Sequence, residues 1–135
     1  MKHSDHTVLL VEDDPDDVLL VIEALSDKPF IKLVHEKNGF EALSYLKELK
    51  TKAASLPCLI ILDINMPILD GKQLLSIIKN DERFSSIPIV VFTTSSNEKD
   101  KNFCHDYNVP MITKPYDITT FNETVIKFIE HCKAA

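Results

Sequence analysis

Short apolar runs alternate along this chain with segments of helical spacing. TVLLV (7–11), CLIIL (58–62) and IVVF (89–92) are continuous, with no charged residue on either face. A strand of that kind must be covered on both sides, which is the signature of a parallel sheet packed between helices. IKLVHE (31–36) and PMIT (110–113) are mixed or shorter, as edge strands can be.

The intervening segments keep an apolar face at helical spacing. After the first run, Asp14 stands as helix N-cap and Pro15 as the first helical residue, with Val18, Leu19, Val21, Ile22 and Leu25 on one face. Asn38-Gly39 marks a turn before FEALSYLKELK, and KQLLSIIKN forms a third helix. Ser95 and Glu98 have the spacing of a capping box for a polar fourth helix around 99–107. TTFNETVIKFIEHC forms the last helix, with Phe121, Val125, Phe128 and Ile129 on one face. LKTKAAS is read as a loop. The result is β-α five times over, an α/β doubly wound sandwich. Its 135 residues form one domain, 1–135, with nothing left over for a second.

A net charge of −6, from 15 basic and 21 acidic residues, disfavours direct binding to nucleic acid. No apolar run is long enough to span a membrane, and the polar N-terminal MKHSDHT has no export signal. Cys58, Cys104 and Cys132 are odd in number and lack paired metal spacing, so they are read as reduced thiols in a cytoplasmic protein, with no disulfide.

In an open parallel sheet, function gathers beyond the carboxyl ends of the strands. The first strand delivers Glu12 and Asp13 there, the third Asp63, the fourth Thr93 and Thr94, and the fifth Lys114 followed by Pro115. Each has an ordinary alternative: acids at a helix entry, a turn cap for Asp63, a strand-end hydroxyl for Thr93, a solvated Lys114. Their joint placement at four strand ends favours a site. Three close carboxylates repel one another unless a cation intervenes, and an oxygen-only donor set without nearby Cys or His suits Mg2+. Metal and lysine together would neutralise a phosphoryl group.

LLVEDDPDD, LDINMPILDG, PIVVFTTS and ITKPYD, in this order over nearly the whole chain, resemble the receiver domain of two-component response regulators, the chemotaxis-regulator-like fold. The resemblance implies a five-stranded sheet of order 2-1-3-4-5 and a stand-alone receiver with no output domain. By it, Asp63 accepts a phosphoryl group from a sensor histidine kinase or histidine phosphotransfer protein. Asp13, Asp63 and the Asn65 carbonyl bind Mg2+ directly, and Glu12 acts through water. Lys114 pairs with Asp63 at rest and with a phosphoryl oxygen afterwards, Thr93 and the Thr94 amide bind other phosphoryl oxygens, and Pro115 positions the lysine, with a cis Lys-Pro bond as one way of doing so. Asn65 and Ser95 tune hydrolytic reset. The local flavour of VEDDPDD, FTTS and ITKP resembles single-domain receivers paired with phytochrome-type kinases. The resemblance implies an unnamed downstream protein as target and leaves open a homodimer through helix 4, strand 5 and helix 5.

Met111 departs from the pattern, which has an aromatic residue three positions before the lysine. Methionine fills irregular gaps without a rigid ring, which gives either simple core filling or a softer switch; Phe103, Tyr107 and Tyr116 are the nearby aromatic substitutes. DYNVP also departs from the family's Gly-Ala turn. Three other functions compete. An aspartate-nucleophile phosphohydrolase would need an acid/base Asp where Asn65 stands, a flavodoxin-like cofactor binder would need a phosphate-cradling loop where EDDPDD stands, and a degenerate scaffold would lack site residues that are present here.

Overall fold

The computed structural model describes residues 6–66 and 69–133. Pro67 and Ile68 of LDINMPILDG therefore lie outside the described residues. Five parallel strands, β1 (His6–Val11), β2 (Ile31–Glu36), β3 (Leu59–Leu62), β4 (Ile89–Thr93) and β5 (Met111–Thr113), form one sheet of order β2-β1-β3-β4-β5. The mixed strands are the edges and the continuously apolar ones are central, as the sequence implies. The helices are α1 (Pro15–Ala24), α2 (Gly39–Thr51), α3 (Gly71–Lys79), α4 (Glu98–Asp106), α5 (Ile118–Phe128) and a final turn, α6 (Glu130–Lys133). α2 takes in the first residues of the LKTKAAS stretch, and the last helix is split after Phe128.

Strand alternation divides the core into two layers. Leu9, Val11, Ile60, Leu62 and Val91 face α2, α3 and α4, while Val8, Leu10, Ile61, Val90 and Phe92 face α1 and α5. Phe92 packs against Phe121 and Phe128 of α5, with ring centroids 5.0 and 5.1 Å away.

Several local expectations change. Asp14 caps α1 and Pro15 opens it, but Leu19 and Ile22 are exposed; the buried stripe is Val18, Val21, Ala24 and Leu25. The apolar residues of α1 are too many for one face, and the sheet accepts only that stripe. Asn38 caps α2. α4 is capped by Asn97, whose side chain accepts from the Asp100 N–H, not by Ser95 with Glu98. Ser95 Oγ instead donates to the Asp100 carboxylate. The capping box lies at α3, between Asp70 and Gln73. The Lys114-Pro115 bond is trans, since the described residues contain no cis peptide.

The reading of three reduced cysteines is corrected. Cys58 and Cys132 form a disulfide, with Cα atoms 5.6 Å apart, and only Cys104 is free. The bond ties the start of β3 to α6. These residues are 74 positions apart in sequence, so their proximity depends on where the last helix comes to rest across the sheet.

Candidate functional site

The ladder of hydrogen bonds runs one residue past the strands and thereby aligns the site. Asp63 N–H donates to Val11 O (3.1 Å), Glu12 N–H to Glu36 O (3.1 Å) and Lys114 N–H to Thr93 O (2.8 Å). Glu12 thus sits beside Asp63, and Thr93 beside Lys114, at the carboxyl edge. His35 of β2 adds support, with Nε2 2.7 Å from the Glu12 carbonyl oxygen.

Lys114 is at the centre. Its Nζ donates to Glu12 Oε1 (2.7 Å), Asp17 Oδ2 (2.6 Å) and Asp63 Oδ2 (3.0 Å). Lys114, Glu12 and Asp63 are all buried, at 8%, 3% and 6% exposure. An ammonium has three donors, and all three are engaged by carboxylates. Burial alone would lower the lysine's pKa, but Asp17, Glu12 and Asp63 outweigh it and hold the ammonium protonated well above the ordinary range. Glu12 is pushed from 4.5 up to about 7, first by burial and then by the Asp63 charge, with Lys114 opposing.

One carboxylate oxygen from each of Glu12, Asp13 and Asp63 lies within 4.8 Å of the others. Asp13 is exposed, which leaves the cluster open to solvent on one side. Three hard oxygen donors, of which Glu12 and Asp63 share one ammonium with Asp17, fit a hydrated divalent cation.

The acceptor loop is held from several sides. The Asn65 N–H donates to Asp63 Oδ1 (3.0 Å), and Asn65 Nδ2 lies 3.4 Å from Thr93 Oγ1. Thr93 is fully buried, and its Oγ1 also accepts from the Ser95 N–H (3.2 Å). Thr94 is exposed and lines a cavity of about 240 Å³ with Asp17, Lys114 and Pro115. Both glycines of the chain abut the loop. A Cβ on Gly71 would lie 2.3 Å from Ile64 Cα and 2.4 Å from Asp63 O, and one on Gly39 would lie 2.5 Å from Leu69 O. Neither adopts positive φ; close backbone approach requires them.

Met111 is half-buried and packs against the same core layer as Phe103 and Tyr107. Those two rings, on α4 and its C-cap, pack tilted with centroids 5.2 Å apart, and Tyr107 OH is 3.0 Å from Ser76 Oγ on α3. Tyr116 is fully exposed and outside that layer. An apolar cavity of about 380 Å³, lined in part by Pro88, Val109, Pro110 and Phe128, lies at the opposite edge of the sheet and contains none of these acids.

With this geometry in place, comparison with known proteins is decisive: residues 8–126 match the response regulator receiver domain. The chain belongs to that family. It is a phosphoacceptor domain of two-component signalling. The receiver is 32% identical over 126 residues to the probable methanogenesis regulatory protein FilR2 of Methanothrix harundinacea, covering 92% of this chain and 81% of that one. It is 38% identical over 95 residues to response regulator Rcp1 of Synechocystis sp., covering 69% of this chain and 65% of Rcp1. The crystal structure of phosphorylated RcpA, a cyanobacterial phytochrome response regulator, superposes with a TM-score of 0.88 at 34% identity, covering 97% of this chain and 96% of RcpA. The Mn(2+)-bound form of Rcp1 superposes with a TM-score of 0.83 at 31% identity, covering 93% and 92%.

Two features of the receiver escaped the sequence reading. Asp17, within LLVEDDPDD, has no role assigned from sequence, although it lies four residues beyond Asp13. Asp100 was one charge in a polar helix; it is buried and pairs with Lys72. Among the described residues no helix is long and apolar enough to cross a membrane.

Proposed function

We propose that Asp63 is the phosphoacceptor of this receiver, and that the chain works as a stand-alone switch. The observation that carries the reading is the Lys114 ammonium bound to Glu12, Asp17 and Asp63 beside three carboxylates with space for a cation. An Asp63 carboxylate oxygen attacks phosphorus in line, the P–N bond of the donor phosphohistidine breaks, and the imidazole leaves with the bonding pair. This needs orientation and charge neutralisation more than proton transfer. Asn65 N–H and Lys114 hold the carboxylate in place. Glu12, Asp13, Asp63 and the Asn65 carbonyl would hold Mg2+, which when bound neutralises phosphoryl oxygens. Thr93 and the Thr94 amide take the remaining oxygens, and Lys114 exchanges its Asp63 contact for one of them. Pro115 fixes the path of the chain just beyond the lysine.

Hydrolysis of the acyl phosphate resets the switch. Asn65, at the mouth of the site, would tune the attacking water; Ser95 would act through Asp100 and Thr93, because its hydroxyl is engaged by Asp100. Phosphorylation adds roughly −1.5 to −2 charges. It would draw Thr93 towards the new oxygens and alter the surface of α4, β5 and α5, where a downstream protein or a second copy would bind. Met111, opposite Val91 in the strand register, would supply flexible filling beside β4, so that coupling would be softer than a ring would make it. The donor is a histidine kinase or phosphotransfer protein, and similarity to RcpA makes a phytochrome-type kinase the first donor to test. Incubation with acetyl phosphate and Mg2+, followed by trapping and peptide mass spectrometry, tests the acceptor. One phosphoryl group on the Asp63 peptide is expected, with none in Asp63→Asn; modification elsewhere would overturn the assignment.

A further inference from the structure

The three carboxylates on Lys114 do not face the same way. Glu12 and Asp63 are buried at the strand ends and belong to the acidic cluster. Asp17 is on α1, its side chain is 20% exposed, and it lines the 240 Å³ cavity together with Lys114, Thr94 and Pro115. Neither Glu12 nor Asp63 lines that cavity. Lys114 is therefore held between two acids on the cluster side and one on the cavity side. The cavity-side contact is the shortest of the three, 2.6 Å against 2.7 and 3.0 Å.

At rest all three donors of the ammonium are engaged by carboxylates, so a phosphoryl oxygen can enter only by displacing one of them. Once Asp63 carries the phosphoryl group, its carboxylate charge is consumed in the acyl bond. Glu12 belongs to the trio that would hold a cation. Asp17 takes no part in either event, because its carboxylate lies outside the metal-competent trio. Neither event therefore removes the charge that Asp17 presents to Lys114.

We propose that Asp17 is a positioning residue for Lys114, competing with the phosphoryl group for the ammonium and so limiting how tightly the activated site is held. This rests on the reading of Asp63 as acceptor and Lys114 as phosphoryl ligand. A chain without this third acid would commit its lysine fully to the phosphoryl oxygen. Here the lysine is shared, which favours a site that is easily reset.

The test is Mg2+-dependent binding of beryllofluoride, followed by NMR of backbone amides, in the full chain. Wild type should bind and Asp63→Asn should not; failure of either result counts against the acceptor assignment rather than against Asp17. Given that result, Asp17→Asn should tighten beryllofluoride binding about fivefold, the size of an ion-pair contribution at a partly exposed position. Asp17→Ala should do the same, and Asp17→Glu should restore near-wild-type affinity by returning a carboxylate to Lys114. Asp16→Asn removes the same charge from the neighbouring, exposed position on α1, and should change affinity less than twofold. Thermal melts confirm that each variant is folded. Unchanged or weaker binding in Asp17→Asn overturns the proposal. So does an equal effect of Asp16→Asn, which would make the gain one of general charge.

Discussion

Among the described residues, two lysines meet buried carboxylates, and the two clusters are built differently. Lys72 of α3 faces one acid, Asp100 of α4, whose charge is also met by Ser95 Oγ, while the Asn97 cap accepts from the Asp100 backbone N–H. The balance is complete: burial would raise the Asp100 pKa, yet Lys72 and Ser95 together hold it below the ordinary carboxylate value. Lys114 faces three acids, with Asp13 close by. There the balance fails and Glu12 is pushed up to about 7. A cluster that is satisfied by its own residues is a structural joint. A cluster left with surplus negative charge calls for positive charge from outside the chain, which a divalent cation would supply.

Gly71 lies between the two clusters, next to Lys72 in sequence and against the Asp63 backbone in space. Gly71→Ala should have the largest effect. Its Cβ can fit only if backbone moves, at a cost of about 1–3 kcal/mol in thermal or urea unfolding. Displacement of the Asp63 loop should slow phosphorylation on the order of 100-fold. If acceptance were unimpaired, the loop would be less tightly specified than these contacts imply.

Asp100→Ala separates joint from site. It removes a buried acceptor from Lys72 and Ser95 and should destabilise by about 1–3 kcal/mol. Acceptance at Asp63 should stay within about threefold of wild type, since the joint carries no phosphoryl ligand. A loss matching that of a site variant would merge the two clusters into one functional unit.

The surplus charge also predicts a pH dependence. Between pH 4.5 and about 7 the folded, metal-free protein holds a proton on Glu12 that the unfolded chain has lost. Its stability therefore falls as pH rises through that window. Mg2+ needs Glu12 ionised, so its affinity should weaken by up to about tenfold per pH unit below 7. Calorimetry in buffers of different ionisation enthalpy should show proton release on Mg2+ binding near pH 6.5. The Lys72 cluster, its acid already ionised, should show no such release.

Much of this was legible because apolar runs that stop abruptly on charged residues mark both the strands and what they deliver. Glu12, Asp13, Asp63, Thr93 and Lys114 are all strand-end residues, and parallel pairing in register brings them together. What stayed hidden depends on helix rotation or on contacts distant in sequence. Asp17 and Asp100 are acids on helices, where spacing alone does not say which charged residue turns inward. Leu19 and Ile22 look like core and are exposed. The capping spacing at Ser95 and Glu98 gave way to Asn97 because the Ser95 hydroxyl found Asp100. The Cys58–Cys132 bond joins positions whose proximity only the closed sandwich creates.

The most direct measurement of the central claim is 31P NMR of the protein with phosphoramidate and Mg2+. An acyl-phosphate resonance should appear in wild type and in Asp100→Asn, and be absent in Asp63→Asn and after chelation of the metal. A resonance that survives in Asp63→Asn, or none in the wild type, would contradict it.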